Sequence, residues 1–190
     1  MSSSLSGEDG RTIWTVGHST RSFDEFLALL QANRIEFLAD VRHFPTSQRA
    51  PWAKKAALAP ALGERGIGYE HFDALGGFRK AAPDSMNTGW RSAGFRGYAD
   101  YMAAPEFGTA VERLISLAAA KRTAIMCAEA LWWQCHRALI SDFLKVRSIT
   151  VIHILAVNKI QEHPFTSAAR IIHGELSYSA RAAQTEFSKL

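Results

Sequence analysis

Period-two and period-3.6 hydrophobic patterns take turns along this chain, and that alternation is its strongest constraint. Residues 12–17 (TIWTVG) read as a short buried strand. Ser22-Phe23-Asp24-Glu25 then forms a capping box, with Ser22 as the N-cap and Glu25 three residues on. Phe23, Phe26, Leu27 and Leu30 follow at helical spacing. Residues 36–42 (EFLADVR) read as a second strand. A helix is expected over 54–65, kinked or shortened by Pro60, with Gly66 as its stop. Residues 68–72 make a third, weaker strand. Further helices are expected over 98–103, 105–118 and 134–147, and strands over 123–127 (TAIMC) and 150–156 (TVIHILA). Strand, helix, strand, helix predicts parallel pairing through right-handed crossovers. The expected fold is α/β, with about five mainly parallel strands and helices on both faces. A partial or distorted barrel is the alternative.

Two stretches break the alternation. Residues 76–97 (GGFRKAAPDSMNTGWRSAGFRG) carry neither period and read as a long loop, a type often functional in a compact domain. Residues 157–190 read as mostly irregular, with one short helix at most. The first eleven residues, MSSSLSGEDGR, lack the basic and apolar regions of a signal peptide and read as a flexible tail on a cytoplasmic protein. Residues 12–190 then form one α/β domain.

Composition removes several classes. At 47% hydrophobic and 11% aromatic, the chain is too apolar for intrinsic disorder. Its two cysteines cannot frame a disulfide-built secreted fold. No apolar run approaches the ~20 residues of a membrane span, so no membrane partner is expected. The net charge of +4 is uneven: Arg42 to Arg96 holds nine Lys and Arg against four acids. A concentrated positive field favours an anionic partner, a small molecule or nucleic acid. A solvated basic surface is the plainer alternative.

In parallel α/β sheets, ligands bind beyond the carboxyl ends of the strands. His18 follows the first strand, Arg42 and His43 the second, and Arg79 and Lys80 the third. Cys127 and Glu129 follow the fourth, with Cys135, His136 and Arg137 opening the next helix. Cys135 at a helix start beside Arg137 is a plausible thiolate, expected to react faster than Cys127; a small buried apolar residue is the alternative. Glu129 and His18 are candidates for proton transfer. Asp40 is more readily read as a partner of Arg42 or Arg137. Arg42, Arg79, Lys80, Arg96 and Arg137 are candidates to hold an anion, with Cys127 and His136 lining the same site. Trp90, Phe95, Tyr98, Trp132 and Trp133 flank these charges, either to stack bases or to build lid and core. No cofactor is expected. A metal at Cys127 and Cys135, completed by His18 or His43, is the weaker alternative, because the spacing matches no common zinc motif.

TVGHSTRSFDEFL, LADVRHFP, LGGFRK, FRGYADYM, HPFTSAAR and above all CAEALWWQCHR resemble the bacterial family known as domain of unknown function number 488, from about Thr12 to Tyr178. That resemblance implies a fold and a site at the paired C-A-E and C-H-R motifs, but no reaction. The chemistry therefore rests on the residues. It points first to an enzyme acting on a phosphate-bearing substrate such as a nucleotide or nucleic acid. Arg42 and Arg137 would hold the anion, with Glu129 and either His18 or Cys135 as the reacting groups. A non-catalytic nucleic-acid-binding module and a thiol or metal-binding redox protein are the alternatives.

Overall fold

The computed structural model describes residues 12–180. The expected flexible tail, residues 1–11, lies outside them. Strands β1 (Thr12–Gly17), β2 (Phe37–Asp40), β3 (Gly68–His71), β4 (Thr123–Cys127), β5 (Thr150–Ala156) and β6 (Lys159–Glu162) form one sheet, in the order β3-β2-β4-β1-β5-β6. Every pairing is parallel except that of β5 with β6. The fold is thus the expected α/β class. Among the described residues the sheet stays open and does not close as a barrel.

Period-two alternation gives each strand two working faces. Trp14, Val16, Leu38, Ala124, Met126 and Ile154 turn to one side. There they meet Phe26, Leu27 and Leu30 of α1 (Phe23–Ala32), and Leu58 and Leu62 of α2 (Lys55–Gly63). Ile13, Ala39, Ile125, Cys127 and Val151 turn to the other side, against α3 (Ala93–Tyr101), α4 (Pro105–Ala120) and α5 (Arg137–Val146). Thr15 shares this second face by its spacing, as does His153, its register partner on β5. The Ser22 capping box forms as expected, with Glu25 N–H bound to the Ser22 hydroxyl at 3.2 Å and Ser22 N–H bound to the Glu25 carboxylate at 2.7 Å.

Three expectations need correction. The helix expected from residue 98 begins at Ala93, because Ser92 caps it, its hydroxyl accepting from Phe95 N–H. The helix expected from residue 134 begins at Arg137, after a 3-10 turn over Trp132–Gln134. Cys135 between them is extended, so it sits just before the helix cap rather than within the first turn. Residues 157–180 form no helix. They contribute β6 and a hairpin of β7 (Arg170–Ile172) and β8 (Glu175–Ser177). His173 and Gly174 both take positive φ (52° and 84°), the conformation a two-residue hairpin turn needs.

A candidate thiol site at the strand ends

The carboxyl ends of β1, β2 and β4 open into a cavity of about 840 Å³. Its lining includes His18, Arg42, His43, Cys127, Glu129, Cys135 and His136. Arg137 lies beneath its floor, 1% exposed. The strand-end rule thus gathers most of the predicted residues into one place.

The backbone builds the floor. His18 N–H donates to Cys127 carbonyl at 3.0 Å, and Ser19 N–H to Ala128 carbonyl at 2.8 Å, with Ser19 at φ 51°. These bonds tie the turn after β1 to the turn after β4. Arg21 braces the same turn by donating to the carbonyls of Gly17 and Leu155. His18 Nδ1–H donates to Ser19 carbonyl at 3.0 Å. That leaves Nε2 as the acceptor, 3.4 Å from Arg42 Nη1. Burial, and next the Arg42 charge, lower the pKa of His18 and keep it neutral. Arg42 itself is bound by Asp40, through Nε to Oδ1 at 2.8 Å, and donates to Ala53 carbonyl at 2.7 Å. Tyr69 completes the Asp40 shell at 2.6 Å.

Arg137 is engaged on every side. Its Nε donates to Cys127 Sγ at 3.1 Å, Nη2 to Glu129 carbonyl at 2.6 Å and Nη1 to Thr15 Oγ1 at 3.3 Å. Its backbone N–H points at Cys135 Sγ, 3.5 Å away. Among the described residues no carboxylate pairs with this buried cation. Its field falls instead on the two sulfurs. Burial resists ionisation of Cys135, but the Cys127 thiol, the Arg137 guanidinium and the Arg137 amide overcome it and bring the pKa down to about 6. Cys127 goes the other way, pushed up by burial and by its neighbour Cys135. One sulfur is therefore a thiolate and the other the thiol that donates to it. His136 Nε2–H donates to Val41 carbonyl at 2.8 Å, so its Nδ1 lone pair faces Cys135 Sγ at 3.5 Å and can take the thiol proton. Burial lowers His136 and keeps it neutral.

Aromatic side chains form the lip. Phe44, Phe78 and Trp133 line the cavity and are 64%, 86% and 47% exposed. His43 and Phe44 touch edge to face at 4.3 Å. Phe78 holds φ 59°, a backbone state costly for a bulky residue. Of the flanking aromatics named from the sequence, Phe95, Tyr98 and Trp133 line the cavity. Trp90 packs on Phe95 and Tyr178, and Trp132 is buried on His153.

Arg79, Lys80 and Arg96 stay outside this lining. Arg79 stacks on the Tyr101 ring at 3.8 Å, Arg96 donates to Trp90 carbonyl at 3.0 Å, and Lys80 is exposed. Among the described residues no three His, Cys, Asp or Glu side chains come together as metal ligands. Nor is any described helix long and apolar enough to cross a membrane.

Sequence reasoning missed Thr15, Asp142, His153 and His163, all buried behind Arg137. The available signal was a polar residue at alternate positions of two otherwise apolar strands. Burial lowers the pKa of His153 to about 2, so its ring is neutral in the folded protein. An unfolded histidine ionises near 6.5, so the unfolded chain takes up this proton first. Stability should be full above about pH 6.5 and fall on acidification, by up to ~1.4 kcal/mol per pH unit from this group alone. Urea unfolding at intervals between about pH 7 and pH 5, above the carboxylate range, measures the slope. A flat profile there would contradict a neutral buried His153.

Fold and cavity together define an α/β protein with an asymmetric thiol pair at the carboxyl edge of its sheet. The family described as a domain of unknown function, DUF488, matches residues 22–144, and the chain belongs to it. Searches of curated proteins and of solved structures found no match.

Proposed function

We propose that this protein is an enzyme in which the Cys135 thiolate attacks a phosphate-bearing substrate of nucleotide size. The observation that carries the reading is the Cys135 sulfur itself. It borders an open cavity while Arg137 and the Cys127 thiol stabilise its anion from below. A buried cation without a carboxylate, aimed at a sulfur, serves thiolate chemistry better than packing. In this scheme the sulfur displaces a leaving group from the substrate and holds the remainder covalently. Glu129 on the cavity wall exchanges the leaving group's proton. His18, neutral with Nε2 toward the cavity, takes a proton from the water that releases the product and regenerates the thiolate.

The volume of about 840 Å³ suits a ligand the size of a nucleotide. Phe44, Phe78 and Trp133 offer ring faces to a base. Because Arg42 and Arg137 are committed to Asp40 and the sulfurs, the phosphates are assigned to the outer basic stretch that includes Arg79, Lys80 and Arg96. Two free thiols favour a reducing compartment, the cytoplasm. The contact between Cys127 and Cys135 favours a second reading, thiol–disulfide exchange.

A panel of nucleotides and short oligonucleotides separates the readings. Turnover by the wild type, abolished in Cys135→Ser and retained in Cys127→Ser, is the expected result. Turnover undiminished in Cys135→Ser would overturn the nucleophile. Activity limited to dithiol reduction and needing both cysteines would support the redox reading instead.

A further inference from the structure

A row of buried polar groups runs inward from Arg137, and the proposed chemistry does not itself use them. Arg137 Nη1 lies 3.3 Å from Thr15 Oγ1, which lies 2.7 Å from His153 Nδ1. His153 Nε2 lies 2.9 Å from His163 Nδ1, and His163 Nε2 lies 3.0 Å from Asp142 Oδ1. Asp142 also accepts from the Thr166 amide at 2.9 Å, the Thr166 hydroxyl at 2.6 Å and the Tyr178 hydroxyl at 2.9 Å. All five members of the row are 1% exposed or less.

Donor chemistry gives the row a single direction. A carboxylate only accepts, so His163 donates from Nε2 and its neutral Nδ1 accepts. His153 must then donate from Nε2, which leaves its Nδ1 to accept from the Thr15 hydroxyl. The Thr15 oxygen in turn accepts from Arg137. Trp132 stacks on the His153 ring at 4.4 Å and 5°, and fixes its plane. A row this deep would be costly if any member lacked its partner, and none does.

We propose that Thr15, His153, His163 and Asp142 form a positioning chain that fixes the Arg137 guanidinium beneath the Cys135 sulfur. A guanidinium is a planar fork whose donors point in set directions. Here Nε is spent on Cys127, Nη2 on Glu129 carbonyl and Nη1 on Thr15. The Thr15 anchor prevents rotation of the fork, and Asp142 sets the two tautomers that hold Thr15 as a donor. None of the four touches the cavity, so each acts through Arg137. The inference rests on the reading of Cys135 as the working thiolate.

Thr15→Val keeps the shape and the β-branch and removes only the hydroxyl; Thr15→Ser restores it. The readout is the midpoint of Cys135 alkylation by iodoacetamide against pH, followed on the Cys135 peptide by mass spectrometry. The sulfur is faced by Cys127 of β4, by His136 and Arg137 after it, and by the Tyr98 phenol of α3. None of these is altered in either variant. Thr15→Val should raise the midpoint by about one unit, and Thr15→Ser should return it to the wild-type value. An unchanged midpoint in Thr15→Val would overturn the chain while leaving the nucleophile intact. A wild-type midpoint near the ordinary thiol value of ~8.5 would remove the nucleophile reading and the chain with it. A measurement on the wild type needs no variant to fold: nitrogen NMR should find both His153 and His163 protonated at Nε2 and bare at Nδ1. The reverse tautomer at either ring would contradict the chain.

Discussion

Replacing Arg137 by methionine should move the ionisation midpoint of Cys135 from about 6 to ~9 or above. The variant keeps a long side chain in the same volume but removes the only cation in direct contact with both sulfurs. Burial, which Arg137 now outweighs, then acts on Cys135 as it does on Cys127. The midpoint is a better readout than the rate at one pH. A less acidic thiol is also a stronger nucleophile once ionised, which masks part of the loss in thiolate. Arg137→Lys should fall between the two, since one ammonium cannot reach Cys127, Thr15 and the Glu129 carbonyl together. A midpoint unmoved in Arg137→Met would mean that something other than the guanidinium stabilises the thiolate.

Gly17→Ala should cost about 3 kcal/mol of stability, or a fall of ~10 °C in Tm. A methyl group at Gly17 would sit 1.8 Å from Glu129 carbonyl oxygen and 2.7 Å from its carbon. Both are backbone atoms, so no flexible side chain can swing away. β1 and β4 run in register here, Gly17 beside Cys127, and the turn after β4 folds back over Gly17. Pushing that turn outward also breaks the 2.6 Å bond from Arg137 to Glu129 carbonyl. The variant should therefore lose stability and thiol acidity together, measured by thermal unfolding and by alkylation. A Tm within a few degrees of the wild type would contradict the close approach that builds the floor.

The central strands were legible because their apolar faces alternate or run continuously between turn signals. β6 was not, since Lys159, Ile160 and Glu162 on this edge strand are exposed and carry no buried period. The start of α3 was hidden because Gly94 and Gly97 weaken the helical pattern, and only the Ser92 cap marks it. At the site, Cys127, Cys135, His136, Arg137, His18 and Arg42 were found by one rule, that strand ends converge. The same rule could not tell that Arg79 would be drawn onto Tyr101 or Arg96 onto Trp90 carbonyl. Charge counted along a segment does not say which way each side chain turns. His153 and Asp142 escaped notice for the opposite reason. A histidine in an apolar strand and an aspartate in a helix look unremarkable until the fold brings them into line with Arg137.

The most direct test is the ultraviolet absorbance of thiolate, titrated against pH in the wild type and in Cys135→Ser and Cys127→Ser. One sulfur should ionise near 6, the step should vanish in Cys135→Ser, and it should persist, displaced upward by loss of the Cys127 thiol, in Cys127→Ser. No ionisation below the ordinary thiol range of ~8.5, or a low step that follows Cys127, would contradict the account.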